Sequence, residues 1–262
     1  MDNLILFRGA GELASGAIRR LVLSGFPVVA LERSKPLCVR RTVSFASAIY
    51  DSEIEIEGVK GRFYRDIDDA SEMITQGMAV ILIDPEGSAI QKLSPKILVD
   101  ARMMKHNTDT KSDSAHVVIA LGPGYSAPDD AHYVIETSRG HNLGRVIESG
   151  SAIKDTGIPG AIEGESVRRV LRSPGSGVFK STSKLGDLVD ADQVVGTVNG
   201  KEVKTKISGL LRGLLYDGVE ISEGIKIGDV DPRGNPEFLL TISDKANAIA
   251  GGVMEAVMRS IR

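Results

Sequence analysis

The sequence predicts an α/β fold followed by a separate β domain, and three observations carry that prediction. A short apolar run, Leu4–Phe7, ends in the glycine-rich stretch "FRGAGELASG" and gives way to helical periodicity. Further apolar runs in the first half each end in an acid or a glycine turn. From Ser173 onward, short strand-like segments alternate with turns. The expected architecture is a Rossmann-like N-terminal domain (1–112), a connecting α/β region (113–165), a barrel-sandwich-hybrid-like β domain (166–240) and a C-terminal helix (241–262) packing back on the core.

Leu4–Phe7 has the continuous apolar character of a strand covered on both faces. From Glu12, the residues Leu13, Ala14, Ala17, Ile18, Leu21 and Val22 form one helical face, with Arg19 and Arg20 turned away. Gly25 stands where that helix would stop, and Val28–Leu31 is a second buried-type strand. The spacing Gly9-x-Gly11-x-x-Ala14 fits the dinucleotide fingerprint, and Glu32 lies where an acid can bind ribose hydroxyls. The helix amino end would offer free N–H groups and a positive dipole to a phosphate. The same glycines would also serve if they only let helix and strand pack closely.

Three more strand-like runs end in candidate site residues. Ala79–Ile83 runs into Asp84-Pro85, Ile97–Val99 into Asp100-Ala101-Arg102, and Val117–Leu121 into Gly122-Pro123-Gly124. In open α/β sheets, ligands collect outside the carboxyl ends of the strands. Past Glu32, Lys35, Arg40 and Arg41 form a cluster suited to gripping an anion, or simply a solvated loop. Cys38 lies among these cations, which would favour its thiolate, although a lone cysteine also serves as a small packed hydrophobe. Ser52–Arg65 alternates as a hairpin does. The polar segment after Tyr133–Ile135 holds Arg139, His141, Asn142 and Arg145, which would suit a negatively charged ligand; His141 is an acid–base candidate or a structural histidine.

In the β region, Ser173-Pro174-x-x-Gly177-Val178 with Leu185-Gly186-Asp187-x-Val189 is echoed by Ile207-Ser208-Gly209-Leu210 with Asp217-Gly218-x-x-Ile221. Two such units joined by a hairpin resemble biotinyl and lipoyl carrier domains. Asn199-Gly200 signals a type I′ turn, with Lys201 beside it, but the flanks match neither modification motif. At the C-terminus, Val253, Met254, Val257, Met258 and Ile261 form a helical apolar stripe.

Composition narrows the function. The chain has 262 residues, 42% apolar and 26% charged, enough to bury a real core. The net charge of −3 with interleaved signs argues against a nucleic-acid surface, and the absence of Trp against a base-stacking platform. One cysteine excludes intrachain disulfides and Cys-rich metal sites, and no two of the four histidines fall at a ligand spacing such as H-x-x-x-H. No metal is expected. The start "MDNLILF" puts Asp2 where a signal peptide would carry positive charge, and no run reaches a membrane span. The expected location is the cytoplasm, with no membrane partner and with homo-oligomerisation left open.

Arg8–Gly16, "KPLCVRRTVSF" from Lys35, "ETSRGHNLGRVIESGSA" from Glu136, "KIGDVDPRGNP" from Lys226 and "SDKANAIAGG" from Ser243 together carry a resemblance. In these blocks the chain resembles the YqeB-type accessory proteins of selenium-dependent molybdenum hydroxylases. The resemblance implies a role in maturing such a hydroxylase or handling its molybdenum cofactor, with the hydroxylase or its maturation machinery as partner. It brings no catalytic residues. The residues put forward to bind a nucleotide or molybdopterin-type ligand are therefore Gly9, Gly11, Glu32, Arg40, Arg41, Asp84, Asp100, Arg102, Arg139 and His141. Two other classes stay open: an NAD(P)-dependent oxidoreductase and a non-catalytic docking or chaperone protein.

Overall fold

The computed structural model describes residues 3–75 and 77–261, so Asp2, used in the signal-peptide argument, lies outside them. The chain forms two compact units. Unit 1 gathers Met1–Pro36, Ser44–Thr156 and Ile242–Arg262; unit 2 gathers Leu37–Val43 and Gly157–Thr241.

Unit 1 is built on strands β1 (Ile5–Arg8), β2 (Val28–Glu32), β3 (Glu53–Ile56), β4 (Val59–Tyr64), β5 (Ala79–Ile83), β6 (Ile97–Asp100), β7 (Val117–Leu121), β8 (Ser126–Ala127), β9 (Tyr133–Ile135), β10 (Val146–Ile147) and β11 (Gly150–Ser151). Nine of them make one mixed sheet in the order β10-β9-β7-β6-β1-β2-β5-β4-β3, while β8 and β11 pair separately. The strands from β9 to β4 are mutually parallel, and β10 and β3 close the two ends in antiparallel fashion. Their apolar runs are buried on both faces, as central parallel strands require. All seven carboxyl ends therefore share one edge, and β1 lies where the chain's progression across the sheet reverses.

The helices of this unit are α1 (Glu12–Leu23), the single turns α2 (Ala48–Asp51) and α3 (Ile67–Ala70), and α4 (Ser88–Leu93). The chain ends in a long helix that is also part of unit 1. In α1 the predicted face is buried through Ala14, Ala17, Ile18, Leu21 and Val22, with Arg19 and Arg20 partly exposed.

Unit 2 holds β12 (Val170–Arg172), β13 (Gly177–Ser181), β14 (Leu188–Val189), β15 (Val194–Val198), β16 (Lys201–Lys204), β17 (Gly209–Leu214), β18 (Glu220–Ile221) and β19 (Lys226–Asp231), followed by the short α5 (Glu237–Leu240). They form two antiparallel sheets, ordered β12-β19-β17-β14 and β16-β15-β13-β18. Asn199 (φ 48°) and Gly200 (φ 81°) close β15 to β16 with both residues at positive φ, as a type I′ turn demands.

The expected fold, a Rossmann-like domain plus a barrel-sandwich-like β domain, is corrected by these sheets. Unit 1 is a large mixed sheet with antiparallel edges, into which the Ser52–Arg65 hairpin is built as β3 and β4. The connections from β6 to β7 and from β7 to β9 carry no helix. Asn107, Asp109 and Ser112–Ser114 favour turns over helix there, so the sheet lacks the helical crossovers that a doubly wound fold would have. Unit 2 is a pair of antiparallel sheets.

The last helix of the chain, α6 (Asp244–Ser260), packs on α1. A Cβ at Gly16 would come 2.8 Å from the Ala246 carbonyl oxygen, and one at Gly251 would come 3.3 Å from the Arg20 guanidinium. The contacts 16 with 246 and 20 with 251 rise together, so the helices run parallel and present their amino ends at the same sheet edge. The buried face of α6 runs through Ala246, Ile249, Ala250, Val253, Ala256 and Val257, whereas Met258 of the predicted stripe is exposed.

Candidate functional site

The carboxyl edge of the unit 1 sheet brings together most of the expected residues. Gly9 has φ +98°, and a Cβ there would lie 3.1 Å from the Ala101 carbonyl, so β1's exit loop presses on the loop after β6. Gly11 differs. It caps α1 at φ −68° and ψ −179°, a conformation open to any residue, and a Cβ there would meet nothing within 4 Å.

Glu32, at the end of β2, accepts the Ala10 N–H on one carboxylate oxygen (3.0 Å) and the Arg33 N–H on the other (2.9 Å). Burial raises its pKa above the ordinary carboxylate value, against the lowering effect of those bonds and of the Arg33 charge. Glu32 thus braces the glycine loop. Asp84 takes the Gly87 and Ala89 N–H groups at 3.0 and 2.7 Å, so it shapes the turn into α4.

Asp100 and Arg102 belong to a wider network. Asp100 is fully buried and accepts the Arg102 backbone N–H, Nε and Nη2 at 3.1, 3.1 and 2.6 Å, together with the Thr110 hydroxyl. Burial alone would raise the Asp100 carboxyl; the Arg102 and Thr110 bonds and the Arg102 charge outweigh it and hold it low. Arg102 also reaches Asp109 at 2.6 Å, and the other oxygen of Asp109 takes Arg8 Nη2 at 2.7 Å. The bond from Arg8, reinforced by Arg102, holds the Asp109 carboxyl well below the usual carboxylate range. Buried beside this network, the Tyr125 hydroxyl faces Asp100 and Arg102 without a well-formed hydrogen bond.

The segment after β9 packs directly on α6. A Cβ at Gly144 would lie 2.4 Å from the Ala248 carbonyl oxygen, so glycine is required for backbone-to-backbone contact. Glu136 is buried and anchors this loop by accepting the Ser138 and Ile153 N–H groups at 2.7 and 2.8 Å. Arg139 makes a two-pronged pair with Asp244 in the first turn of α6, at 2.6 and 3.0 Å. His141 is exposed on this loop. Next to Asp244 stands Lys245, partly buried. Burial and the Arg139 charge lower its pKa, against the raising effect of Glu12, Asp155 and Glu136.

Two expected residues are not free for this role. Arg40 and Arg41 belong to unit 2. Arg40 is buried and donates to the carbonyls of Phe238 (2.9 Å) and Thr241 (3.4 Å), while the Arg41 guanidinium sits 4.5 Å from the centre of the Tyr216 ring. Both cations serve packing inside that unit. Lys35 is exposed and Cys38 is buried.

Arg8, Asp109, Tyr125, Glu136 and Lys245 escaped sequence reasoning. Arg8 and Lys245 carried a signal, since each is a charged residue inside an otherwise apolar or helix-starting context. Among the described residues, no group of three or more His, Cys, Asp or Glu side chains is placed to hold a metal ion. No helix among them is long and apolar enough to cross a membrane.

Comparison with known proteins yields a sequence relative that aligns with nearly the whole chain. YqeB of Escherichia coli (strain K12) is 46% identical over 256 residues, which is 98% of this chain. The chain is similar to part of YqeB. It spans 47% of that relative's length, and YqeB is itself uncharacterized. No family model matches. Among solved structures, an aspartoacylase family protein of Mesorhizobium loti aligns with 87% of this chain and 84% of its own at 12% identity and a TM-score of 0.29. A succinylglutamate desuccinylase/aspartoacylase of Rhodobacter sphaeroides aligns with 86% of each chain at 10% identity and a TM-score of 0.27. Likenesses this slight carry no argument about chemistry.

Proposed function

We propose that this protein binds a phosphorylated ligand, a nucleotide or a molybdopterin-type compound, at the carboxyl ends of β1, β2 and β6. In that capacity it acts as an accessory protein in the maturation of a selenium-dependent molybdenum hydroxylase. The observation that carries the ligand reading is the pairing of Gly11 with Lys245. The fold does not need a glycine at position 11, yet the residue heads α1 where free N–H groups favour an anion. Lys245 is a partly buried cation in the first turn of a helix, where the macrodipole disfavours positive charge. Among the described residues its ammonium makes no hydrogen bond or ion pair. A bound phosphate would satisfy both positions.

The maturation reading is supported by the order of the five resembling blocks along the chain. Three of them, Arg8–Gly16, the block from Glu136 and the block from Ser243, meet around the amino end of α6.

Calorimetric titration of the whole chain with nucleotides and pterin phosphates tests the ligand reading. Lys245→Met is expected to weaken binding by about 1.5–3 kcal/mol, the range for hydrogen bonds to charged groups, while its melting temperature holds or rises. Wild type that binds none of these compounds at millimolar concentration defeats this reading, and turnover of a nicotinamide cofactor would favour an oxidoreductase instead. For the maturation reading, a strain lacking the protein should still make the hydroxylase polypeptide but leave it inactive or deficient in selenium. A fully active, selenium-replete hydroxylase from that strain defeats it.

A further inference from the structure

We propose that Arg8 and Arg102 form a clamp for a phosphate group of the ligand, and that the Asp109 carboxylate holds its place in the unliganded chain. The proposal rests on the reading that the strand carboxyl ends take a phosphorylated ligand. Arg8 ends β1, and Arg102 lies two residues beyond its register partner Asp100 on the neighbouring β6. The Asp109 carboxylate bridges the two guanidinium groups, one oxygen to each, at 2.7 and 2.6 Å. Two oxygens of a phosphate would make the same bridge.

Burial separates this bridge from a structural ion pair. The Arg8 side chain is 5% exposed, Arg102 19% and Asp109 46%. A cation buried for structural reasons is expected to face a counter-ion buried as deeply, because breaking such a pair leaves an uncompensated charge. Asp100 is that counter-ion for Arg102, at 0% exposure. Asp109 is surplus to Arg102, yet it is the sole hydrogen-bond or ion-pair partner of the Arg8 guanidinium among the described residues. It sits on a connection without a helix, where the turn at Asn107 accepts the Asp109 and Thr110 N–H groups at 3.2 and 2.9 Å. Two cations are thus fixed at strand ends, and the anion between them is the exposed, loop-borne member. The buried Tyr125 hydroxyl, close to Asp100 and Arg102, has no hydrogen-bond partner of its own among the described residues.

Inorganic pyrophosphate is the probe, titrated into wild type, Asp109→Asn and Gly11→Val. Removing the internal competitor should tighten pyrophosphate binding at least tenfold in D109N and enlarge the rise in melting temperature on adding pyrophosphate. Equal or weaker binding by folded D109N, with wild type binding in a Gly11-dependent manner, overturns the clamp alone. If pyrophosphate binds neither wild type nor D109N, the strand-end reading fails and the clamp with it. Should D109N not fold, amide hydrogen exchange on wild type decides. Saturating pyrophosphate should speed exchange at Asp109 and Thr110 as the turn is released, and unchanged or slower exchange there overturns the clamp.

Discussion

Gly16→Val is expected to unfold the protein or lower its melting temperature severely, while Gly11→Val keeps the fold and loses phosphorylated-ligand binding. The two glycines lie in one short motif and look alike in sequence. At Gly16 a Cβ would stand 2.8 Å from the Ala246 oxygen and 3.1 Å from its carbonyl carbon, both backbone atoms of α6. Relief would require the two parallel helices to move apart, and overpacking a filled interior costs typically about 1–3 kcal/mol, more when no side chain can yield. Valine adds two further methyl groups to that clash. At Gly11 there is no atom to strike. Its loss as a helix cap costs on the order of 1 kcal/mol at most. The branched side chain would instead occupy the space in front of the first N–H groups of α1. Thermal melts and calorimetric titrations on both variants give the answer. A Gly11→Val protein that binds as wild type does, or melts as early as Gly16→Val, would sink the assignment.

The contrast also shows what could be read in the sequence. The strands β1, β2, β5, β6 and β7 were legible because continuous apolar runs ending in Gly or Asp mark buried parallel strands. Those runs alone place Gly9, Glu32, Asp84, Asp100 and Arg102 at one edge. The fold class was not legible, because it depends on what fills the crossovers. The connection after β6 forms a turn network around Asn107 where a doubly wound fold would carry a helix. Nor did the spacing say what each acid does. Glu32 and Asp84 fit a ligand-binding pattern, yet both bind backbone N–H groups, Glu32 those of the glycine loop and of Arg33, Asp84 those of its own turn. Arg40 and Arg41 are eight and nine residues from Glu32 in sequence, but chain proximity carried no information once Leu37–Val43 left for unit 2. Apolar periodicity in a helix does not single out Lys245; its signal is a cation in the first turn.

Asp229→Ala is expected to cost unit 2 about 3–5 kcal/mol, the range for removing one partner from a buried ion pair. Asp229 and Asp231 point to the same face of β19, being two residues apart, and both are fully buried. Arg212 binds Asp229 and Asp231 at 2.8 Å each, Arg169 also pairs with Asp229, and Arg233 grips Asp231 at 2.9 and 2.7 Å. Without Asp229, Arg169 loses its carboxylate and Arg212 keeps only one of its two, both inside the packed sheet. Glu53→Ala is the control: its pair with Lys60 is 3.9 Å long with both side chains about half exposed, and such pairs contribute about 0–1 kcal/mol. A pH signature accompanies the loss. Burial would raise the Asp229 carboxyl, but the charges of Lys226, Arg169 and Arg212 win and depress it. A depressed folded pKa gives stability that is present above the unfolded value of about 3.9 and is lost as pH falls through the folded pKa. Wild type should therefore weaken below about pH 4, and Asp229→Ala should weaken less steeply over the same interval from its lower starting point. Denaturant titrations at neutral pH and across the acid range measure both effects. A variant as stable as Glu53→Ala, or one with the wild-type acid slope, would show that the Asp229 network is not what holds these sheets together.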